Sequence, residues 1–459
     1  MLEKTGALFD RQKILKLIIP LVVEQILAVT VGMADMIMVA GAGETAVSGI
    51  SLVNTISNLL IYCFSALATG GAVVTAQLLG AGDKKTACRS ADQLIMVCGV
   101  SSIVITVFCL LFNRSLLLLI YGNVEEGVMS NAVTYFYITA LSFPFLSVYN
   151  GGAGLFRSMN NSKISMEISV IMNFLNIIGN AIFVFGFGME VAGVGLSTLI
   201  SRAVAAIATL ALITRPKFLV HVSHLFRPGI DINLIKKILH IGVPGALESS
   251  MFQIGKLLTQ SLISSFGTAA IAANACASTV ETMADIPAVA IGLGLVTIVG
   301  QCVGAGDYKQ ARYYAKKLIS YAYAFLILFN VIIFAGSNVI SGWYNLSEMG
   351  NYYSNILIKY HGVCCMLLWP LAFTIPSVLK AAGDAKYTLI SSATSMWIFR
   401  IGLAYIIGGY MQSRYNLGVW GVWIAMTIDW LVRSILNIIR FHGHKWETKA
   451  LIDDKKAYD

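Results

Sequence analysis

Twelve long apolar stretches constrain this sequence more than any other feature. Each has about 18 or more residues with few charges, which is the length that an α-helix needs to cross the hydrocarbon core of a bilayer. Glycine, asparagine, proline or charged residues separate them. We number them spans 1 to 12, and they predict an all-α polytopic membrane protein. The stretches are 14–40, 51–79, 90–112, 131–150, 163–187, 191–214, 236–265, 274–303, 314–336, 354–378, 387–411 and 416–441.

The composition agrees with a membrane location. Hydrophobic residues make up 57% of the chain and charged residues only 12%, which lies outside the range of soluble globular proteins. In a membrane protein, an excess of basic residues orients the chain in the bilayer. We therefore expect that the net charge of +9 has this role and that there is no nucleic-acid partner. The eight cysteines form no CxxC pair and fall mostly inside apolar runs, which predicts that they pack as small apolar residues.

The distribution of lysine and arginine predicts the orientation. The N-terminus, the loops after even-numbered spans, the C-terminus and the span ends that adjoin them hold 25 of the 32 basic residues, whereas the opposite loops hold only Arg114 and Arg414. Basic residues favour the cytoplasmic side, so both termini are predicted to be cytoplasmic in the cell inner (plasma) membrane. The remaining five lie further inside spans and are Arg202, Lys256, Lys359, Arg400 and Arg433.

The sequence repeats itself in two halves. A shift of 224 positions aligns residues 20–83 with residues 244–307, and shifts of 223 and 228 continue the alignment further along each half. Each half has six spans, an even number, so the halves are predicted to be parallel repeats related by an axis along the membrane normal. The aligned positions include Pro20 with Pro244, Glu24 with Glu248, Asp83 with Asp307 and Arg157 with Lys380.

This repeat predicts the domain organisation. We expect two six-helix lobes with a central cleft between them, which is where parallel-repeat transporters bind substrate. The predicted boundaries are an N-terminal lobe at 1–214, a cytoplasmic linker at 215–235, a C-terminal lobe at 236–441 and a cytoplasmic tail at 442–459.

Several motifs resemble those of the multidrug and toxic compound extrusion (MATE) family of transporters, over about residues 10 to 440. They are the Gly-Ala-Gly-Asp loops that end at Asp83 and Asp307, Met-Ala-Asp-Met-Ile-Met at 33–38, Arg-Ser-Met-Asn-Asn-Ser-Lys at 157–163, Leu-Asn-Ile-Ile-Gly-Asn at 175–180 and Lys-Ala-Ala-Gly-Asp-Ala-Lys at 380–386. The resemblance implies a twelve-helix, two-lobed secondary active antiporter, not an enzyme. Such a protein exports amphiphilic, often cationic organic compounds in exchange for H⁺ or Na⁺ and needs no other cofactor. We expect a monomer surrounded by membrane lipids.

The same resemblance implies a cation-coupling site in the N-terminal lobe. In the family, the aspartate of span 1 joins polar residues of spans 5 and 6, which here are Asp35, Asn176, Asn180 and Thr198. The residues themselves agree, because Asn173, Asn176 and Asn180 recur at helical spacing and form one polar stripe. Hydrogen bonding between helices is the alternative use of that stripe.

One departure from the family bears on the coupling ion. Many relatives carry an aspartate at the position of Asn180, so this site has one carboxylate fewer. A lone Asp35 takes up a proton readily, which favours H⁺ as the coupling ion. A Na⁺ ion would still find oxygen ligands on Asp35, Asn176, Asn180 and Thr198, and no other metal site is expected.

Glu24 and Glu248 are equivalent by the repeat and predict a second functional site. If they face each other across the cleft, they would attract a cationic substrate or exchange a proton for it. In some relatives the coupling glutamate of span 7 lies about one turn further along, where this sequence has Phe252.

Three further acidic residues are candidates for the substrate cleft or a second coupling site. Glu281 and Asp285 share a face of span 8 at i and i+4, although an ion pair with Lys256 is an alternative use. Asp384 aligns with a family aspartate that is linked in some members to cation coupling, and capping of a cytoplasmic turn is its alternative. His361 in span 10 is a candidate proton relay.

Two rival functions remain open at this stage. A flippase for a lipid-linked precursor, from the same superfamily, would need a cleft lined by arginines, whereas the opening helices here carry carboxylates. An intramembrane transferase enzyme would need paired aspartates or a His/Asp set near the membrane surface, and the internal duplication argues against it.

Overall fold

The structure of the protein is a computed structural model that describes residues 8–40, 43–122, 124–223, 229–344 and 346–452. In hydrocarbon each backbone N–H needs a partner within its own segment, and a helix supplies one for every residue. The described residues form helices and no strand, which confirms the predicted all-α class. The α-helices are α1 (Arg11–Ala40), α2 (Glu44–Gly80), α3 (Lys84–Leu111), α4 (Asn113–Tyr121), α5 (Glu126–Leu141), α6 (Phe143–Ser158), α7 (Ser162–Asn180), α8 (Glu190–Ile213), α9 (Ile232–Ser264), α10 (Thr268–Gly304), α11 (Tyr308–Trp343), α12 (Glu348–Trp369), α13 (Ile375–Ala381), α14 (Ala385–Ser395), α15 (Gly409–Tyr415) and α16 (Gly418–His442).

Each of the twelve predicted spans has a helical counterpart among the described residues. Ten segments are long and apolar enough to cross a membrane, and the bent pair α5 and α6 makes an eleventh. The remaining span corresponds to α9, whose 33 residues are long enough but include Lys236, Lys237, Glu248 and Lys256. Several helices are longer than the apolar stretches because polar residues at their ends continue the helix.

Several spans are interrupted by a bend or by π-helical segments. The helices α5 and α6 meet at an angle of 43°, with Pro144 in the first turn of α6. A π-helical segment, Pro370–Thr374, joins α12 to α13, and two further π-helical segments, Met396–Gly402 and Ala404–Gly408, lie between α14 and α15. Proline lacks the backbone donor, and π-turns release backbone groups, so these positions are natural bends.

The helices form two compact units. The first, which we call the N-unit, includes Phe9–Ala246, and the second, the C-unit, includes residues 247–452 together with Leu8. The division therefore lies inside α9 and not in the segment 215–235. The lobe boundaries at 214 and 236 remain a prediction.

The first half of α9 packs tightly within the N-unit. A Cβ atom at Gly70 of α2 would lie only 2.5 Å from the carbonyl oxygen of Ile238 and 2.8 Å from the amide nitrogen of Gly242. Only glycine allows two helices to approach this closely. This contact attaches the start of α9 to α2.

The two Gly-Ala-Gly-Asp loops form matching turns between helices. Gly82 and Gly306 have positive φ angles of 79° and 71°, which glycine adopts without strain. Asp83 accepts a hydrogen bond from the amide of Thr86, and Asp307 accepts one from the amide of Gln310, each at 2.9 Å. The loops are therefore capped helix boundaries, with the aspartate at the N-cap of the next helix.

Within the predicted linker, residues 215–223 pack against the N-unit, and we call this segment the N-latch. The amide of Ser223 donates to Asp92 Oδ1 at 2.9 Å, and the Phe218 ring meets the Phe156 ring edge-on with centroids 5.4 Å apart. Residues 224–228, in the middle of the predicted linker, lie outside the described residues. The described part of the linker is thus a folded piece of the N-unit.

Within the predicted tail, residues 443–452 pack against the C-unit, and we call them the C-latch. Trp446 is fully buried, and the Arg312 guanidinium lies over its ring. Arg312 Nε also donates to Glu447 Oε1 at 2.5 Å. Residues 453–459 of the predicted tail lie outside the described residues. At the repeat offset of 228, Phe218 of the N-latch corresponds to Trp446.

Candidate functional site

Asp35 in α1 meets the polar stripe of α7. Asn180 is fully buried at the end of α7, and its amide Nδ2 donates to Asp35 Oδ1 at 2.5 Å. Asp35 itself is half-buried. The predicted pairing of span 1 with span 5 is therefore present, and it brings a carboxylate into contact with an amide inside the N-unit.

Two further members of the predicted site, Asn176 and Thr198, join α7 to α8. Asn176 Nδ2 donates to Thr198 Oγ1 at 3.3 Å, and the Ser197 hydroxyl donates to the backbone carbonyl of Asn176 at 2.6 Å. The amide oxygens Oδ1 of Asn176 and Asn180 are buried and accept no hydrogen bond from described protein groups. Such oxygens are ligands of the kind that bind hard cations.

Arg202 and Tyr135 belong to this cluster, although the sequence did not assign them to it. The guanidinium of Arg202 interacts electrostatically with Asp35 and with Tyr135. It also donates to Ser142 Oγ at 2.8 Å, at the bend between α5 and α6. The position of Arg202, one turn after Thr198 in span 6, was the signal that links it to the site.

Glu24 forms an ion pair inside the N-unit. Its Oε1 lies 3.5 Å from Nη1 of Arg157 in α6, and its Oε2 accepts a hydrogen bond from the Ser165 hydroxyl of α7 at 2.9 Å. The side chain is 8% exposed, so the ion pair is largely shielded from solvent.

Glu248 forms the equivalent ion pair inside the C-unit. Its Oε2 lies 2.8 Å from the Lys380 ammonium, and the hydroxyls of Thr388 and Ser392 donate to the carboxylate at 3.2 and 3.0 Å. At the repeat offset of 223, Lys380 corresponds to Arg157 and Thr388 to Ser165. The sequence did not predict that each glutamate already has a basic partner in its own unit. The ion pair makes each glutamate less available to a cationic substrate.

Glu281 and Asp285 of α10 have different surroundings. Asp285 Oδ1 accepts a hydrogen bond from the Cys365 thiol of α12 at 3.3 Å. Glu281, one turn earlier, lines a cavity of about 160 Å³ together with Lys256 and Arg400. The ammonium of Lys256 lies over the Phe252 ring, 5.4 Å from its centre, and among the described residues it forms no close ion pair with either carboxylate.

Asp384 forms an ion pair at the end of the C-unit where α13 meets α14. Its Oδ2 accepts from Arg440 Nε at 2.7 Å, and its side chain does not cap α14. Arg433 donates to the fully buried Asp429 at 2.9 Å, and Arg400 lies 4.0 Å from the other carboxylate oxygen. Asp384 and Asp429 therefore have basic partners, and capping was the wrong alternative for Asp384.

Comparisons with known proteins agree with this architecture. The MatE family model matches twice, at residues 20–182 and 244–406, and the two matches are separated by the same 224 positions as the repeat. A probable multidrug resistance protein NorM of Thermotoga maritima is 26% identical over 97% of this chain and 95% of its own length. The uncharacterized transporter YisQ of Bacillus subtilis is 27% identical over 98% of this chain and 96% of its own length.

Solved structures share the fold. A crystal structure of MATE in the bent conformation superimposes with a TM-score of 0.85 at 20% identity and covers 98% of this chain and 97% of its own. An outward-facing multidrug resistance MATE family transporter of the MOP superfamily gives a TM-score of 0.87 at 20% identity, over 94% of this chain and 96% of its own. The duplicated family match covers more than half of the residues, so the chain belongs to the MATE family and is a membrane transporter, not an enzyme.

Proposed function

We propose that this transporter exports small amphiphilic, often cationic organic compounds in exchange for H⁺ or Na⁺. The observation that carries the proposal is the buried cluster of Asp35, Asn180, Asn176 and Thr198, which joins three helices of the N-unit around one carboxylate. An ionisable group inside a membrane is costly and is usually retained for ion transfer. Family membership and a relative named for multidrug resistance support export of organic compounds.

The cluster could bind either coupling ion, but each ion would use a different set of atoms. A proton needs only the Asp35 carboxylate, which Asn180 orients through its Nδ2 group. A Na⁺ ion would be held by Asp35 together with Oδ1 of Asn176, Oδ1 of Asn180 and the Thr198 hydroxyl, all of them hard oxygen ligands. The single carboxylate favours H⁺, and the two amide oxygens without protein donors favour Na⁺. The gradient experiment below distinguishes them.

Exchange follows if cation and substrate stabilise different conformations of the transporter. A cation at Asp35 neutralises the carboxylate and changes its attraction for Asn180 and Arg202, so it favours one arrangement of α1, α7 and α8. Substrate binding would favour the other arrangement. In the C-unit, Glu281 lines a cavity and is the carboxylate best placed to attract a cationic group.

We also propose a monomer in the plasma membrane with both termini cytoplasmic. The orientation is supported by the 25 basic residues on the predicted cytoplasmic side against two on the other. Both latches then lie on the cytoplasmic side, next to the capped turns at Asp83 and Asp307.

The test is transport of a fluorescent cationic dye by proteoliposomes that contain the purified protein. An outward-directed substrate flux should depend on an imposed H⁺ gradient, an imposed Na⁺ gradient, or both. Asp35→Asn, which keeps the size of the side chain but removes its charge, should abolish that dependence.

Glu126→Gln is the matched control, because Glu126 pairs with Arg114 at an exposed position, far in sequence from the cluster. Wild-type dye movement that ignores both gradients would overturn the antiporter proposal. Unchanged coupling in Asp35→Asn would remove Asp35 from the mechanism.

A further inference from the structure

We propose that Asp285, His361 and Cys365 form a binding site in the C-unit for a borderline or soft divalent cation such as Zn²⁺. One ligand atom from each residue lies within 4.8 Å of the others. Among the described residues, no other group of three or more His, Cys or acidic side chains has this geometry. The proposal is independent of the coupling site in the N-unit.

The distances are close to those of a metal shell. Zn²⁺ binds carboxylate oxygen and imidazole nitrogen at about 2.0–2.2 Å and thiolate sulfur at about 2.3 Å, so ligand atoms in a tetrahedron are roughly 3.3–3.8 Å apart. Cys365 Sγ and Asp285 Oδ1 are already 3.3 Å apart. All three ligand atoms lie within 4.8 Å of one another, and binding of the ion requires them to close to that spacing.

The helices place two of the ligands on one face. His361 and Cys365 are four residues apart in α12, so their side chains project from the same face one turn apart. A histidine and a second ligand at this spacing can hold one metal ion together. Asp285 supplies the third ligand from α10, and a bound ion would therefore link α10 to α12.

The environment of His361 is an independent observation. The imidazole is only 2% exposed, and its Nε2 has no hydrogen-bond partner among the described residues. Trp423 and Trp430 meet the ring edge-on, with centroids 6.0 and 5.6 Å away. A buried ring nitrogen without a partner is costly, and a metal ion would satisfy it.

The charges at the site are also suitable. When the ion binds, the Cys365 thiol loses its proton to water, and the resulting thiolate and the Asp285 carboxylate balance the two positive charges. Glu281, one turn before Asp285, lines the 160 Å³ cavity and adds negative charge that offsets nearby Lys256. The three protein ligands leave a fourth position for water.

The ligand set predicts selectivity. Thiolate and imidazole favour Zn²⁺ and Cd²⁺, whereas Na⁺, Mg²⁺ and Ca²⁺ prefer oxygen ligands. The proposed site should therefore bind Zn²⁺ in the presence of excess Na⁺ and Mg²⁺.

The experiment uses the full-length protein, purified in detergent, and titrates it with Cd²⁺ while recording the ultraviolet charge-transfer band of cadmium thiolate. Zn²⁺ is then added in competition. We expect one Cd²⁺ per chain, displaced by Zn²⁺ but not by Mg²⁺. Cys365→Ser should remove the band, and His361→Gln should keep the thiolate but weaken binding at least about tenfold, since even outer-shell changes cost 10- to 100-fold.

Cys364→Ser is the matched control, because Cys364 is the adjacent buried cysteine and lies outside the group of three ligands. Its titration should equal that of the wild type. A wild-type protein without the band, or a band that survives in Cys365→Ser, would overturn the proposal. So would equal binding by folded His361→Gln, with folding checked by circular dichroism and gel filtration.

Discussion

The two halves of the repeat share one ion pair and differ in a second group of buried polar residues. Glu24 with Arg157 in the N-unit and Glu248 with Lys380 in the C-unit form the same ion pair at equivalent positions. The cluster around Asp35, by contrast, has no counterpart, since the C-unit has apolar or hydroxyl side chains there. The C-unit residues at the positions of Asp35, Asn176, Asn180 and Thr198 are Thr259, Phe399, Leu403 and Met426.

The reverse holds for Asp285, His361 and Cys365 of the C-unit. The positions of Asp285, His361 and Cys365 correspond in the N-unit to Ile61, Ile138 and Ser142. Both halves thus carry an ion pair and a hydroxyl contact that join α1 to α6 and α7, and α9 to α13 and α14, while each half has its own buried polar cluster. Shared residues indicate architecture, and residues found in one half indicate function.

The largest effect is expected when the N-unit cluster is given a residue of the C-unit. Asn180→Leu, which introduces the residue found at position 403, removes the donor to Asp35. Gradient-driven dye efflux should fall roughly 100-fold, at the upper end of typical coupling energies. Leu403→Met should leave efflux within about twofold, because it changes volume little. Equal effects of the two substitutions would show that the halves do not differ in this role.

The C-latch should contribute more to the stability of its unit than the N-latch does. Trp446→Ala should lower the free energy of unfolding of the C-unit by about 3 kcal/mol, because a fully buried aromatic side chain is replaced by a cavity. Phe218→Ala at the equivalent position of the N-latch should cost less, since Phe218 is only half-buried. Thermal unfolding in detergent measures both. A larger loss for Phe218→Ala would contradict the assignment of the C-latch as the better-packed segment.

Glu24 and Glu248 should differ less in their contributions to stability than the two latches do. Glu248→Gln leaves the Lys380 ammonium without its carboxylate and should destabilise the protein by about 2–3 kcal/mol, below the range for fully buried pairs because Lys380 retains some exposure. Glu24→Gln should cost less, because its ion pair is longer, 3.5 against 2.8 Å. The measurement is the denaturation midpoint of each variant. The double variant Glu248→Gln/Lys380→Gln should regain part of the stability lost in Glu248→Gln. Two residues that acted independently would not produce this gain.

The smallest effect is expected from pH. Burial raises the pKa of Glu447, but hydrogen bonds from Arg312 and His444 outweigh it and hold the pKa below its ordinary value of 4.5. A lowered carboxyl pKa stabilises the docked C-latch above pH 4.5, and this stabilisation is lost as the pH falls through the lower folded value.

Hydrogen exchange of residues 443–452, corrected for intrinsic rates, should therefore stay constant from pH 7 to about 5 and rise below about 4. Residues 215–223 serve as the internal control, because Leu219 stands at the position of Glu447. Equal acid sensitivity of the two latches would exclude Glu447 as the cause.

The sequence predicted the spans and the repeat because each depends on a regular pattern, whereas the α1–α7 contact was implied by the resemblance to the MATE family. Hydropathy reveals membrane helices, and the recurrence of Asn173, Asn176 and Asn180 reveals one polar face. The Gly-Ala-Gly-Asp turns were predictable because glycine and aspartate have specific roles at helix ends.

Contacts between distant residues were not predictable in the same way. Nothing in the spacing of Glu24 and Arg157 shows that α1 and α6 place them 3.5 Å apart. The approach of Cys365 to Asp285 depends on the packing of α12 against α10, and a cysteine in an apolar run resembles any packing residue. The burial of Trp446 was likewise hidden, because a short polar segment after the last span is typical of a free tail.

The division inside α9 has a consequence for biosynthesis. Residues as far as Ala246 belong to the N-unit, and the start of α9 is attached to α2 at Gly70. A nascent chain that ends after its sixth span therefore lacks part of the surface that completes its first unit. Insertion of the seventh helix completes the first unit and begins the second, so the first unit cannot reach its final packing until the ribosome has translated beyond Ala246.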